Sequence, residues 1–377
     1  MRILHLDPDD MGNPLSGGGP IRTYEIYKRL ALRHEITVLT PTFAGSTPEM
    51  HRSGIRYVRL GRKIRNHGSS HHITYLASLP RAVRRFDHDL LVEDFMPPSS
   101  ATYTPLFRHR DRPLIASVQW FFARAYTRRL KLPFHWGEEY GVRLYDNFVV
   151  LTEAMRTFIE GRHPKANCRV VANGVDDALF ETSPLPGMGI LFLGRIEIRA
   201  KGIDLLLAAY ARIPEAEREV LTLAGTVQEP QELQQLIERH DLRRWVRVTG
   251  PFNATERLRL LEGCRFVVMP SRTETFGMTI AEANAAARQT VIWDIAPMNE
   301  VASPFSPRVK AFDVDAYAAA MRVLLHAPVE NLAGLGEGSR EYARRWDWNA
   351  VADAQERFYL DVMDRHRHKR SRARARA

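Results

Sequence analysis

The chain has 377 residues, too many for one ordinary hydrophobic core, so two domains of roughly 170 residues each are the natural expectation. Its net charge is +10, but Arg365 to Ala377 carries seven of those charges and no acid, so the basic character is mostly a tail. Two cysteines in apolar runs exclude a disulfide framework, and no apolar run approaches the length of a membrane span. Met1-Arg-Ile-Leu-His-Leu-Asp7 is too short, and too soon followed by acids, for a signal peptide, so a cytoplasmic protein is expected.

Arg2 to Leu6 reads as a first strand, residues 7–20 as a loop rich in Gly, Pro and Asp, and Ile21 to Leu32 as a helix. Gly17-Gly18-Gly19-Pro20 ahead of a helix lets backbone amides close on a negatively charged or hydroxylated ligand, although a glycine-rich turn needs none. Glu35 to Thr40 is the next strand, which gives the β-α-β opening of a doubly wound domain. From Arg62 to Phe86 the sequence is polar and basic, with Asn66 to His72 expected as a flexible loop. His71 and His72 have no acid or cysteine spaced with them as metal partners and read as solvated. Leu90 to Glu93, Leu114 to Val118 and Asn147 to Leu151 read as buried strands. Between the last two, Gln119 to Trp136 interleaves aromatics with cations. That pattern suits a helix packing its aromatics on the sheet, and equally a membrane interface, an amphipathic acceptor or nucleic acid.

Cys168 to Ala172 is a short strand that ends in Asn173-Gly174-Val175-Asp176, which is ordinary turn chemistry. Thr182 to Gly187 reads as a linker, and Gly189 to Gly194 as the strand that opens a second domain. Arg195 and Lys201 follow that strand, and Asp204 to Arg212 is a helix. Val220 to Ala224, Val246 to Thr249, Phe266 to Met269 and Val291 to Trp293 continue the sheet, with helices at about Gln231 to His240 and Ala254 to Glu262. The run that ends at Met269 leads into Pro270-Ser-Arg-Thr-Glu-Thr-Phe-Gly-Met-Thr-Ile-Ala-Glu282, a polar turn opening a helix over Thr279 to Ala287. At the carboxyl edge of a parallel sheet the free amides of such a helix suit a phosphate. Gly277 lets a ligand approach the backbone, and Glu274 and Glu282 can accept hydrogen bonds from hydroxyls. The alternative is that Glu274 caps the helix and Glu282 lies on a solvated face. No Asp-x-Asp cluster suited to Mg²⁺ or Mn²⁺ stands beside this stretch. Asn349 to Asp364 is an amphipathic final helix. Arg365 to Ala377 is expected to be disordered, either a solubilising end or an attraction for an anionic membrane face or nucleic acid.

Glu274 to Glu282, with Phe276-Gly277 between them, resembles the E-x7-E element of the retaining, nucleotide-sugar-dependent glycosyltransferases of family 4, which have the GT-B fold. Gly17-Gly18-Gly19, Asn173-Gly174-Val175-Asp176, Gly194-Arg195 and Lys201-Gly202 match further elements in the same order, so the resemblance covers nearly the whole chain. It implies an α/β protein of two doubly wound Rossmann-like domains facing an interdomain cleft. Residues 1–172 with a crossover helix at about 349–364 form the acceptor domain, and residues 173–348 the nucleotide-sugar domain. The resemblance implies that Glu282 binds the ribose hydroxyls and that Glu274, with the amides of Thr275, Phe276, Gly277 and Met278, holds the sugar. Arg195 and Lys201 would neutralise the diphosphate as it leaves, with Gly18 and Gly19 closing over the donor. Gln119, Trp120 and Asn173 fall on the acceptor or sugar side. The reaction implied is transfer to an acceptor hydroxyl with retention, by front-face departure and attack, with the nucleotide-diphosphate sugar as co-substrate and no metal or other cofactor. Contact with the inner face of an anionic membrane would be peripheral, and no specific nucleic acid is expected. The chain departs from the family where a His is common, having Gln119-Trp120, and after Glu282, where Ala287 and Gln289 stand for Gly and Pro. A same-fold epimerase or phosphorylase, and a nucleotide-sugar-binding protein without turnover, are the alternatives.

Overall fold

The structure, a computed structural model, describes all residues except 14–18, 63–69, 98–99, 101–102, 122, 124–126, 128–130, 132, 134 and 375–377. The chain divides into two compact units, residues 1–172 with 348–377, and residues 173–347.

In the first unit the described residues form an eight-stranded sheet of β1 (Arg2–Leu6), β2 (Glu35–Pro41), β3 (Glu49–Arg52), β4 (Ile55–Leu60), β5 (Leu90–Asp94), β6 (Leu114–Val118), β7 (Asn147–Val150) and β8 (Asn167–Val170). The order is β3-β4-β2-β1-β5-β6-β7-β8, parallel except where β3 pairs with β4. The central strands are buried and mostly apolar because both faces are covered, as a parallel sheet requires, with His5 on β1 and Glu93 and Asp94 on β5 the buried charged-type exceptions. Ile26, Tyr27 and Leu30 of the first helix, Gly19–Leu30, share one buried cluster with Val351, Phe358 and Tyr359 of the last, Trp348–Arg374. The polar seam of that contact is closed by hydrogen bonds. The Tyr27 and Tyr359 hydroxyls lie 3.2 Å apart, and Gln355 donates to Tyr359 and accepts from Arg22 at 2.5 and 3.1 Å.

Three expectations change here. The polar text from Arg62 to Phe86 contains a helix, Ser70–Arg85, whose Tyr75, Leu79, Ala82 and Val83 are buried at i, i+4, i+7 and i+8. His71 and His72 belong to its first turn, and positions 66–69 lie outside the described residues. The expected disorder after Asp364 is replaced by helix through Arg374. Arg365 pairs with Asp361 at 2.9 Å, and His366 and Arg370 donate to the Asp111 carbonyl at 2.8 and 3.0 Å, which gives the basic end both local and tertiary partners. The antiparallel β3–β4 pair has no counterpart in the sequence reading.

The second unit has a six-stranded, wholly parallel sheet among the described residues. Its strands are β9 (Ile190–Leu193), β10 (Leu221–Ala224), β11 (Val246–Gly250), β12 (Phe266–Met269), β13 (Thr290–Trp293) and β14 (Arg308–Val309), in the order β11-β10-β9-β12-β13-β14. Strand addition reverses between β9 and β12, so the loops after those two strands open side by side. Two later helices, Val314–His326 and Val329–Ala343, were not anticipated. Tyr317, Met321, Leu324 and Leu325 bury the first of them. Thr182 to Gly187 is no free linker. The Arg288 guanidinium holds the carbonyls of Ser183 and Leu185 at 3.1 Å, and the Gly187 amide donates to the Cys264 carbonyl at 3.0 Å.

Candidate active site

At the switch point of the second unit, the Lys201 Nζ lies 2.5 Å from the Glu274 Oε1, and the Ser271 hydroxyl donates to the same oxygen at 2.7 Å. Both ionic side chains are largely enclosed, 19% exposed for Lys201 and 10% for Glu274. Glycine makes this approach possible. Gly202 has a φ of +67°, and a Cβ there would sit 2.0 Å from the Pro270 carbonyl oxygen, so only a residue without one lets the loop after β9 touch the end of β12. The same carbonyl accepts from the Trp293 indole at 2.7 Å, and the Thr279 hydroxyl donates to Leu193 at the end of β9 at 2.9 Å. Arg272 fastens the outer side by donating to the Arg199 carbonyl and to Asp204, each at 2.7 Å.

The turn that follows Glu274 opens the helix Met278–Ala285 at Gly277, whose φ of +92° is left-handed. Thr275 is half-buried and Met278 exposed at the first helical position. The Phe276 ring is buried edge-on against Trp346, centroids 5.9 Å apart, so Phe276 can offer a ligand its amide and not its ring. Arg195 is exposed at the end of β9 and has no carboxylate within 4.0 Å among the described residues. Lys201, Glu274, Arg195 and the amides of Thr275 to Met278 therefore occupy the two loops of one switch point. A phosphate there would meet two cations and the positive end of a helix.

Glu282 is neither solvated nor alone. It is buried, and its Oε1 accepts from the Arg257 Nη1 at 2.6 Å, while the Arg257 Nη2 reaches Asp176 at 3.3 Å. Burial pushes the Glu282 carboxyl above its ordinary value; Arg257 opposes that shift and Asp176 adds to it. Arg257 projects from the helix Ala254–Gly263, and the sequence reading missed it, since nothing local sets it apart from other helical arginines. Ala287, where the family has a glycine, holds the left-handed φ of +56° without one. The side-chain oxygen of Asn173 is buried and has no hydrogen-bond partner among the described residues.

In the first unit the equivalent reversal lies between β1 and β5. There Asp94 accepts from the Gln119 amide at 2.9 Å and lies 3.1 Å from the His5 Nε2, while the His5 Nδ1 lies 2.8 Å from the Tyr27 hydroxyl. Gly19 stands beside Gln119, whose Oε1 would be 3.1 Å from a Cβ there. Trp120 is half exposed at 46%. Gly17 and Gly18 lie outside the described residues, as does most of the aromatic and basic stretch from 122 to 134. The sequence showed no metal-type cluster, yet the fold brings one ligand atom each of His5, Asp7 and Asp94 within 4.8 Å of one another. Both His5 nitrogens are already occupied by hydrogen bonds. Burial and the Asp94 charge push the Asp7 carboxyl well up. No helix among the described residues is long and apolar enough to cross a membrane.

With this geometry in view, comparison with known proteins decides the family. Residues 16–179 match the model described as Glycosyltransferase Family 4, and residues 187–327 the model described as Glycosyl transferases group 1. The chain belongs to this glycosyltransferase family. A glycogen synthase of Mycobacterium tuberculosis is 30% identical over 202 residues, 52% of this chain and 49% of that protein. The chain thus spans about half the length of the curated relatives it matches. Among solved structures, a sucrose-phosphate synthase from Thermosynechococcus elongatus superposes with a TM-score of 0.74 at 17% identity, over 96% of this chain and 99% of that one. HepE of Anabaena, solved in complex with UDP-glucose, gives 0.69 at 17% identity over 97% and 100%. At such identities the likeness establishes the fold, which is GT-B: two α/β units, each built on a largely or wholly parallel sheet.

Proposed function

We propose that this family member transfers a hexose from a nucleotide-diphosphate sugar to an acceptor hydroxyl, with retention and without a metal. The observation that carries the reading is the Lys201–Glu274 pair enclosed at the switch point of the second sheet, beside Arg195 and the opening of the 278–285 helix. A developing diphosphate needs positive charge that is already in place, and Lys201 with Arg195 supplies it. In this reading the ligand draws Lys201 toward the diphosphate, and Glu274 and the turn amides take the sugar hydroxyls. Glu282, held by Arg257, accepts from the ribose. In the first unit Gln119, oriented by Asp94, is the group offered to a hydroxyl of the acceptor or sugar. Retention follows if the leaving phosphate receives the acceptor proton on the face it departs from, so no protein nucleophile is required. UDP-glucose, seen with HepE, is the first donor to try.

The test is calorimetric titration with nucleoside diphosphates in the presence of a chelator, followed by assignment of the product's anomeric configuration by NMR. Binding that requires added metal would sink the metal-free reading. An inverted product would sink retention. Turnover with free phosphate, or epimerised sugar without acceptor, would assign a different reaction to the same fold.

A further inference from the structure

At the opposite end of the first sheet from Gln119, the starts of β6 and β7 and the last helix enclose a cavity of about 320 Å³ that the proposed reaction does not use. That volume is in the range of small-molecule sites and exceeds what a bare ion needs. Its walls include Arg108, Lys165, Arg365 and Lys369, against a single carboxylate, Asp146, among the described residues. Arg365 is shared with Asp361 at 2.9 Å, but neither Lys165 nor Lys369 has a carboxylate within 4.0 Å among the described residues. The Nε of Arg108 is buried with no hydrogen-bond partner among them. The Arg108 Nη1 donates to the Arg112 carbonyl at 2.7 Å, which fixes the guanidinium in the wall. Leu114, Leu144 and Val362 line the same space, so it offers an apolar wall beside a cluster of cations.

We propose that this cavity is a second anion site, built for a phosphomonoester whose small organic body rests on the apolar wall. Four cations converging from three separate segments of the chain give a doubly charged phosphoryl group charge-assisted hydrogen bonds on several sides. The site does not rest on the proposed sugar transfer, and its ligand is either a free phosphorylated small molecule or a phosphorylated lipid headgroup.

Lysine footprinting of the full chain tests it, because the sequence has only seven lysines and each can be followed by mass spectrometry. Lys165 and Lys369 report the cavity, Lys201 the switch point of the second unit, and exposed Lys310 serves as control. Glycerol 3-phosphate at up to about 10 mM should slow acetylation of Lys165 and Lys369 about fivefold and leave Lys310 unchanged. Arg108→Gln should abolish that protection; if that variant fails to fold, Arg365→Gln takes its place. Unchanged rates at both cavity lysines, or protection confined to Lys201, would overturn the proposal. In a second arm, vesicles of phosphatidic acid are compared with phosphatidylcholine vesicles. Protection by the soluble ester alone assigns a free ligand, and protection by both ester and phosphatidic acid assigns a headgroup. Protection by the vesicles alone makes the face a charged surface without a pocket ligand and overturns the site.

Discussion

The Nη1 of Arg257 lies 2.6 Å from the Oε1 of Glu282, so the carboxylate assigned to the ribose is oriented by a cation from a different helix. Replacing Arg257 by Gln removes the charge that opposes burial, which drives Glu282 further toward its neutral form. Affinity for a nucleoside diphosphate should fall about tenfold, and the deficit should shrink as pH rises, because the ionised carboxylate accepts hydrogen bonds more strongly. Calorimetry of wild type and variant at several pH values checks it. A loss that is the same at every pH would mean that Arg257 contacts the nucleotide directly.

Lys201→Ala should lower kcat by about 10²- to 10³-fold, the scale of losing one preorganised charge at a developing anion. A melting temperature within a few degrees of wild type would show that the fold survives. Retained turnover in a folded variant would remove Lys201 from the mechanism.

Two glycine substitutions separate backbone fit from composition. Gly202→Ala must push the 2.0 Å contact with Pro270 apart at a left-handed φ, and should cost more than about 3 kcal/mol in a denaturant melt. Gly334→Ala, in the helix Val329–Ala343 with nothing within 4 Å of the new methyl, should stabilise by about 1 kcal/mol. Equal effects would contradict the close approach that holds the two loops together.

Asp7 sets a pH dependence. Its carboxyl is pushed well above its ordinary value of 3.8, first by burial and then by the neighbouring Asp94. A group shifted upward on folding favours the native state below its unfolded pKa and loses that contribution as pH rises through the folded one. Asp7→Asn keeps an oxygen for the Asp9 amide, which donates to Asp7 at 2.9 Å. The variant should therefore melt higher than wild type at about pH 8, with the advantage shrinking toward about pH 4. A variant that is less stable at both values would show that Asp7 is ionised and satisfied.

The sheets were legible because a parallel strand covered on both faces is an apolar run, and Phe266 to Met269 or Leu114 to Val118 can hardly be anything else. Lys201 and Glu274 were legible as a motif, but their ion pair was not, because it joins residues 73 apart in sequence and depends on β9 and β12 being neighbours in the sheet. Arg257 was invisible among 47 arginines, since its role comes from where its helix is laid and not from what surrounds it in the chain. The convergence of His5, Asp94 and Gln119 was hidden for the same reason: strand order, not spacing, places β1, β5 and β6 together. The helix from Ser70 was missed because its first residues are histidines and its exposed face arginines, which masked four buried positions at helical spacing.

The hydrogen bond between Tyr27 and Tyr359 spans 332 residues. A ribosome delivers the whole of β1 to β8 long before it delivers the helix that seals them, so the first unit waits, with the cluster around Ile26 and Leu30 uncovered, while the second is made in full. The second unit is continuous and can close on itself as it emerges. The order of completion is thus the reverse of the order of synthesis. Arrest of translation after residue 347 and before residue 359 would yield a chain whose later half is protected from protease and whose earlier half is not.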